Sequence, residues 1–360
     1  MNGCVVAHCR AGFEPEAAAD LHAAAARLRE TVRPHVEVGA GFVAAQTEEA
    51  PDIARWSSAL TANAPIFARS VFIGSGPWTL TGTSRSGPPD RITPLVAAAR
   101  SLASASFGTV WLEHPDTNDG KALSTLARGL HNRLAGALRD ANLLREDESA
   151  TPRLHVLLRD GATAWVGVSD AHAGSPWPMG IPRLRMPRGA PSRSTLKLAE
   201  ALVTFLGSDE RRLLRAGSRA VDLGAAPGGW TWQLAQRGLR VTAVDNGALK
   251  GEVAHDALVT HLREDGLRYR PRRPVDWVTC DIVEKPSRIA ALMAEWIGAG
   301  HARHAIFNLK LPMKKRYDEV VRCRAAITDD LSRRGVRAHL ALRQLYHDRE
   351  EVTGYLARRD

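Results

Sequence analysis

The segment Asp222-Leu-Gly224-Ala-Ala226-Pro227-Gly228-Gly229-Trp230 restricts the fold more than any other stretch of the chain. It follows the apolar run beginning at Arg219 and opens a helical pattern over residues 229–237, so a strand turns tightly into a helix. Glycines there let the backbone bend and approach a ligand where a Cβ would collide. Apolar runs recur at 239–245, 275–281 and 304–310, with an amphipathic segment at 287–297 between the last two. Another helix is expected over 317–334, then strands at 336–345 and 351–357. Strands alternating with helices predict an α/β fold with a doubly wound, mostly parallel sheet. The polar loop at 346–350 is short, so the last two strands should pair antiparallel.

Upstream the character changes. Residues 174–191 are dense in proline and glycine, which neither a helix nor a central strand tolerates, so 171–190 reads as a linker. Residues 1–170 read as α+β, with helices at 17–29 and 122–141 and strand-like runs at 110–113 and 154–158. Charge divides in the same place. The net charge of +10 comes from −2 over residues 1–170 and +12 over 171–360. A basic half is what phosphate contact uses, and equally what a solvated basic enzyme shows. The N-terminus carries no secretory pattern, and no run of about 18 apolar residues could span a membrane. Cys4, Cys9, Cys280 and Cys323 form no metal or disulfide spacing, so a reducing, cytoplasmic setting without metal is expected.

Ligands of open α/β sheets bind at the carboxyl ends of the strands. The turn is not Gly-x-Gly-x-x-Gly, and Pro227 stands where a dinucleotide fold places its pyrophosphate. Asp245 ends the next strand, where a carboxylate can accept ribose hydroxyls. Turn and acid together suit a nucleoside without phosphates, such as S-adenosylmethionine; a dinucleotide site and an unliganded turn are the alternatives. Asp265 follows a third strand and either binds an adenine amino group or is a solvated turn residue. Asp281 ends the fourth strand without the Asn/Asp-Pro-Pro-aromatic motif of exocyclic-amine methylation. Cys280 precedes it inside an apolar strand and reads as an inert core thiol rather than a cytosine-attacking nucleophile. A hydroxyl acceptor remains. Lys310 ends the fifth strand, where burial lowers its pKa and a carboxylate raises it. In either protonation state it can accept or stabilise what leaves a hydroxyl, unless it merely snorkels to water.

Residues 222–230 with Asp281, Lys310 and Glu351 resemble the Lys-Asp-Lys-Glu ribose 2′-O-methyltransferases of the FtsJ type. The first lysine of that tetrad maps onto Lys197, in a segment similar to the helix preceding the family's first motif. Further segments resemble, nearly end to end, a bacterial branch that methylates one cytidine ribose of 23S ribosomal RNA. They include Cys9-Arg-Ala-Gly-Phe-Glu14, Met179-Gly-Ile-Pro-Arg-Leu184, Phe307-Asn-Leu-Lys-Leu-Pro-Met-Lys-Lys-Arg-Tyr317 and Gln344-Leu-Tyr-His-Asp-Arg-Glu-Glu-Val-Thr353. The resemblance implies a ferredoxin-like unit at 1–60, a THUMP-like RNA-binding domain at 61–170 and a Rossmann-like methyltransferase domain at 191–360, its last strand antiparallel. Two departures stand out. Ala226 replaces the cysteine often found in the first loop, and Glu350 adjoins Glu351; the alternation of Glu351-Val-Thr-Gly-Tyr favours Glu351.

The donor is therefore expected against Gly224, Ala226, Pro227, Gly228, Gly229 and Asp245, with Ser194, Asp265 and Asp281 closing the pocket. Lys310 would act as base, Asp281 would orient it, and Lys197 and Glu351 would position the hydroxyl. Arg183, Arg185, Arg188, Lys314, Lys315 and Arg316 would meet RNA, either 23S rRNA or a large-subunit assembly intermediate, and a monomer is expected. A base-modifying RNA methyltransferase and a catalytically silent RNA-binding assembly factor are the alternatives.

Overall fold

Each half of the chain builds its own seven-stranded sheet. The computed structural model describes residues 3–80, 90–102, 106–145, 147, 152–170 and 174–359; residues 171–173, the first of the expected linker, lie outside these. The chain divides into two compact units, Met1–Ile181 and Pro182–Asp360.

The first unit runs β1 (Gly3–His8), α1 (Glu14–Leu28), β2 (Val32–His35), β3 (Phe42–Thr47), α2 (Ile53–Ala62) and β4 (Ser70–Thr79). It continues with α3 (Ile92–Leu102), β5 (Thr109–Glu113), α4 (Asn118–Ala122), α5 (Ser124–Asp140), β6 (Arg153–Leu158) and β7 (Thr163–Ser169). The strand order is β2-β3-β1-β4-β7-β6-β5, and only β5 with β6 pairs parallel. β4 pairs with β1 on one side and with β7 on the other, so one sheet runs across the boundary expected near residue 60. β1 and β6 are buried at every position, which removes the period-two signature of a half-exposed strand. The expected linker also begins later in space than in sequence. Met179 is buried, and its N–H donates to the buried Glu113 carboxylate, so 174–181 packs on this unit. A Cβ at Gly180 would lie 2.5 Å from the Arg69 carbonyl oxygen, so only glycine fits there.

The second unit runs α6 (Ser194–Leu206), α7 (Glu210–Leu213), β8 (Arg219–Leu223), α8 (Gly229–Ala235), β9 (Arg240–Val244), β10 (Val259–Leu262) and β11 (Val275–Cys280). Then follow α9 (Pro286–Gly298), β12 (Ala302–Lys310), α10 (Arg316–Arg333), β13 (Ala338–Arg343) and β14 (Glu351–Arg358). The order β10-β9-β8-β11-β12-β14-β13 is parallel through β12, and β14 runs antiparallel to both its neighbours, the doubly wound sheet expected from the sequence. From β8 the chain steps outward to β9, and from β11 it steps the other way to β12. Right-handed crossovers then put α8 and α9 on opposite faces. On one face α6 and α8 bury Leu198, Leu202, Trp230 and Leu234 with Trp277, Ile306 and Tyr355. The reversal of direction between β8 and β11 leaves a crevice at their carboxyl ends.

Candidate active site

Lys310 is the last residue of β12 and Glu351 the first of β14, and the antiparallel register sets them directly opposite one another. A parallel strand would have carried Glu351 to the far end of the sheet. The Lys310 ammonium donates to Glu351 and also to Asp281, which follows β11 on the adjoining strand. Lys197, in the first turn of α6, pairs with the other Glu351 oxygen and stands 3.8 Å from Asp281. Two cations and two carboxylates thus meet in one charge-balanced cluster. Glu351 is almost wholly buried, with its side chain 5% exposed, while both lysines stay partly open at 20% and 23%. The neighbouring Glu350 is exposed and pairs instead with Arg316 at 2.9 Å. Alternation along β14 separates the two glutamates.

Burial alone would lower the Lys310 pKa, but Asp281 and Glu351 outweigh it, and the ammonium is held above the ordinary lysine value. At neutral pH Lys310 is therefore charged at rest. The carboxylates prevail over desolvation.

A second layer went unnoticed in the sequence. Asn308 Nδ2 donates to Asp281 Oδ1 at 2.9 Å, and Thr353 Oγ1 donates to Asn308 Oδ1 at 2.8 Å. Asp348, fully buried, accepts from the Leu345 N–H and lies 2.9 Å from Thr353 Oγ1, and burial first, then the charge of Glu351, drives its pKa well up. Asn308 lies two residues before Lys310, hence on the same face of β12. A polar residue there within an apolar strand was the available signal. Glu200 of α6 performs a related task, accepting from the Tyr346 and His347 N–H groups at 2.7 and 2.9 Å and so anchoring the loop before β14.

Beside the cluster, at the β8/β11 reversal, lies a cavity of about 280 Å³ lined by Gly224, Ala226, Asp245, Asp265, Asp281 and Ile282 among others. Gly224 has φ +75°, and a Cβ there would lie 2.7 Å from Ile282 Cγ1, so a side chain would strain the turn and fill the wall. Asp245 accepts from the N–H groups of Ala226 at 3.0 Å and Gly247 at 2.7 Å, which fixes its carboxylate at the rim. Asp265 accepts from the Leu267 N–H at 2.9 Å and lines the cavity beside Glu264. Pro227, Gly228, Gly229 and Ser194 are not among the residues that line this cavity. Gly229 is packed so tightly against Ser192 and Ser194 that a Cβ would lie 2.3 Å from Ser194 Oγ if both stayed in place, and Gly228 faces Val253. The Gly229 contact sets the start of α6 against the turn.

Beneath the turn Asp222 is buried, and burial pushes its carboxyl up to about 7 against hydrogen bonds from Thr231 at 2.6 Å and Thr279 at 2.8 Å. Of the expected RNA contacts, Arg183, Arg185, Arg188, Lys314 and Lys315 are exposed, whereas Arg316 is half-buried against Glu350.

The lining decides between ligands. Asp245, Glu264, Asp265 and Asp281 face the cavity and no lysine or arginine lines it. A pyrophosphate would meet uncompensated repulsion, whereas a cationic nucleoside finds acceptors for its hydroxyl and amino groups. That acceptor set, next to a cluster fit to manage one hydroxyl proton, defines an S-adenosylmethionine-dependent methyltransferase. The FtsJ-like methyltransferase family profile matches residues 190–319, the RlmM ferredoxin-like domain 1–72, and the N-terminal region of ribosomal RNA large subunit methyltransferase M 90–170. The chain is 49% identical over 355 residues to the ribosomal RNA large subunit methyltransferase M of Azoarcus sp. (strain BH72), covering 98% of this chain and 95% of that one. It is 48% identical over 354 residues to the enzyme of that name from Methylococcus capsulatus, covering 98% and 97%. The chain belongs to the ribosomal RNA large subunit methyltransferase M family, and its cofactor is S-adenosylmethionine. Among solved structures, TrmN from Thermus thermophilus aligns over 99% of both chains at 16% identity with a TM-score of 0.36.

Proposed function

We propose that this enzyme methylates the ribose 2′-hydroxyl of a cytidine in large-subunit ribosomal RNA, with Lys197, Asp281, Lys310 and Glu351 handling the hydroxyl. One observation carries the reading: the four side chains converge on a single cluster beside an acid-lined nucleoside cavity. When bound, S-adenosylmethionine supplies a methyl group already activated by a positive sulfur. The chain's task is alignment and the movement of one proton. Alignment of the two reactants can supply up to ~7–11 kcal/mol, and a positioned acid–base group typically ~10²–10⁴-fold.

Lys310 rests as an ammonium, so it attracts the hydroxyl oxygen and stabilises the negative charge that grows there. It takes the hydroxyl proton as it passes one of its own to Asp281 or Glu351, both already within its hydrogen bonds. Lys197 holds Glu351 in place and balances its charge. The Asn308–Thr353–Asp348 chain fixes Asp281 from behind. Cytosine C5 chemistry lacks its nucleophile, since the Cys280 thiol is fully buried and its pKa is pushed up to about 12 by that burial. The N-terminal unit supplies further RNA contact, and the setting is the cytoplasm. No helix among the described residues is long and apolar enough to cross a membrane.

The test is tritiated methyl transfer to bulk ribosomal RNA followed by alkaline hydrolysis. Label in an alkali-resistant dinucleotide supports ribose methylation. Label in a modified base, or none, refutes it.

A further inference from the structure

Met313, 93% exposed, and Val283, 87% exposed, are the two most exposed large apolar side chains among the described residues. Both stand on loops leaving the strands that carry the reacting groups. Val283 comes two residues after Asp281 and Met313 three after Lys310. At no more than about 3.6 Å of chain per residue, Met313 lies within ~11 Å of Lys310 along the backbone, and Val283 closer still to Asp281. Val283 also lines the mouth of the donor cavity. Isolated exposed apolar residues are ordinary on protein surfaces. Two of them follow the reacting groups of one centre, and neither contributes to a core.

The Met313 loop is pinned at both ends. The Leu311 N–H donates to the Glu350 carbonyl at 2.8 Å, and Lys315 adopts φ 56° where it caps α10. Pro312 restricts the backbone between them. Met313 is thus displayed outward with its backbone already ordered, and the exposed Lys314 and Lys315 follow directly. An apolar tip flanked by cations is complementary to a nucleotide, whose base has an apolar face and whose phosphates are anionic.

We propose that Met313 and Val283 grip the base of the target nucleotide and thereby present its 2′-hydroxyl to Lys310 and Asp281. The inference rests on the ribose reading above and adds the element that orients the sugar. A base joined to its ribose by one bond is a handle: holding its face restricts where the hydroxyl can point. Apolar side chains serve as wedges against unstacked bases, and the polarisable methionine thioether suits that contact. Single-stranded RNA offers such splayed bases.

The experiment first maps the labelled nucleotide in ribosomal RNA, then uses a synthetic RNA spanning it, made with the normal target nucleotide or with an abasic one. Wild-type enzyme, Met313→Ala and Val283→Ala are compared at saturating S-adenosylmethionine. On normal RNA each variant should lose about tenfold or more in kcat/KM. On abasic RNA wild type should fall comparably and the variants no further, the signature of coupling between side chain and base. The donor affinity of Met313→Ala and the salt dependence of RNA binding by both variants should not move. Equal losses on both RNAs, or full activity of the variants on normal RNA, would overturn the proposal. Failure of the wild type to label ribose in normal RNA would strike instead at the underlying reading, a result visible before any variant is measured.

Discussion

Lys310 and Glu351 face each other across the β12–β14 pair, and the Lys310 ammonium bridges Glu351 to Asp281. Because β14 is antiparallel, its first residue meets the last residue of β12, and a carboxylate from the end of the chain joins a site begun at the β8 turn. The charge balance of the enzyme depends on that reversal.

Lys310→Met keeps the aliphatic stem and removes the ammonium. Lys197 remains to pair with Glu351, so the variant should fold with a moderately lowered melting temperature and bind donor as before. Single-turnover methyl transfer should fall by on the order of 10² or more. Wild-type turnover in a well-folded variant would reduce Lys310 to a structural ion pair.

Glu351→Gln and Glu350→Gln should separate sharply although they are neighbours. The first removes the carboxylate that Lys197 and Lys310 share, leaving both lysines only Asp281, and should cost turnover by roughly 10-fold or more. The second removes only the exposed carboxylate that pairs with Arg316, where an ion pair is worth about 0–1 kcal/mol, and should leave turnover unchanged. Comparable effects in the two variants would show that the register does not govern the site.

Asp245→Ala should weaken S-adenosylmethionine by about 1–3 kcal/mol by calorimetry, the cost of buried polar groups left without partners. The Ala226 and Gly247 N–H groups lose their acceptor as well. Unchanged affinity would remove Asp245 from the donor site.

Asp222 makes stability depend on pH. Its carboxyl titrates near 7 in the folded chain, well above the ordinary range, so the native state binds more protons than the unfolded state between those values. Stability must therefore fall as pH rises from about 4 to about 7. Asp222→Asn should flatten that slope and gain on the order of 1–3 kcal/mol at pH 8 relative to pH 4. Parallel melting curves for both proteins at the two pH values would place the titration elsewhere.

For RNA, neutralising Arg183, Arg185, Arg188, Lys314 or Lys315 should flatten the log–log salt dependence of binding by about 0.7–0.9 for each phosphate that no longer meets a cation. Arg316, held by Glu350, should contribute less. A slope untouched by removal of all five exposed charges would make the basic surface a matter of solubility.

Much of the second unit was legible because its order is local. The runs at 219–224, 239–245, 275–281 and 304–310 became β8, β9, β11 and β12 with boundaries shifted by a residue or two. The glycine turn is likewise local, since φ +75° at Gly224 is a property of one residue's missing Cβ. The first unit was less legible. β1 is buried on both faces, so it carries no period-two alternation, and β2, β3, β4 and β7 are likewise not evident in the sequence.

By itself, the sequence determined the alternation that makes the sheet doubly wound, the tight turn that opens a cavity, and the chemical types able to move a proton. These follow from backbone preference and burial within a few residues. Tertiary structure alone decided that Lys197, Asp281, Lys310 and Glu351, drawn from a helix and three strands over 150 residues, meet at one point. It also turns Glu351, the residue the alternation favours, inward rather than Glu350, and holds Lys310 charged at rest. Coulomb interaction depends on distance through space, and spacing along the chain does not contain that distance until the strands have paired.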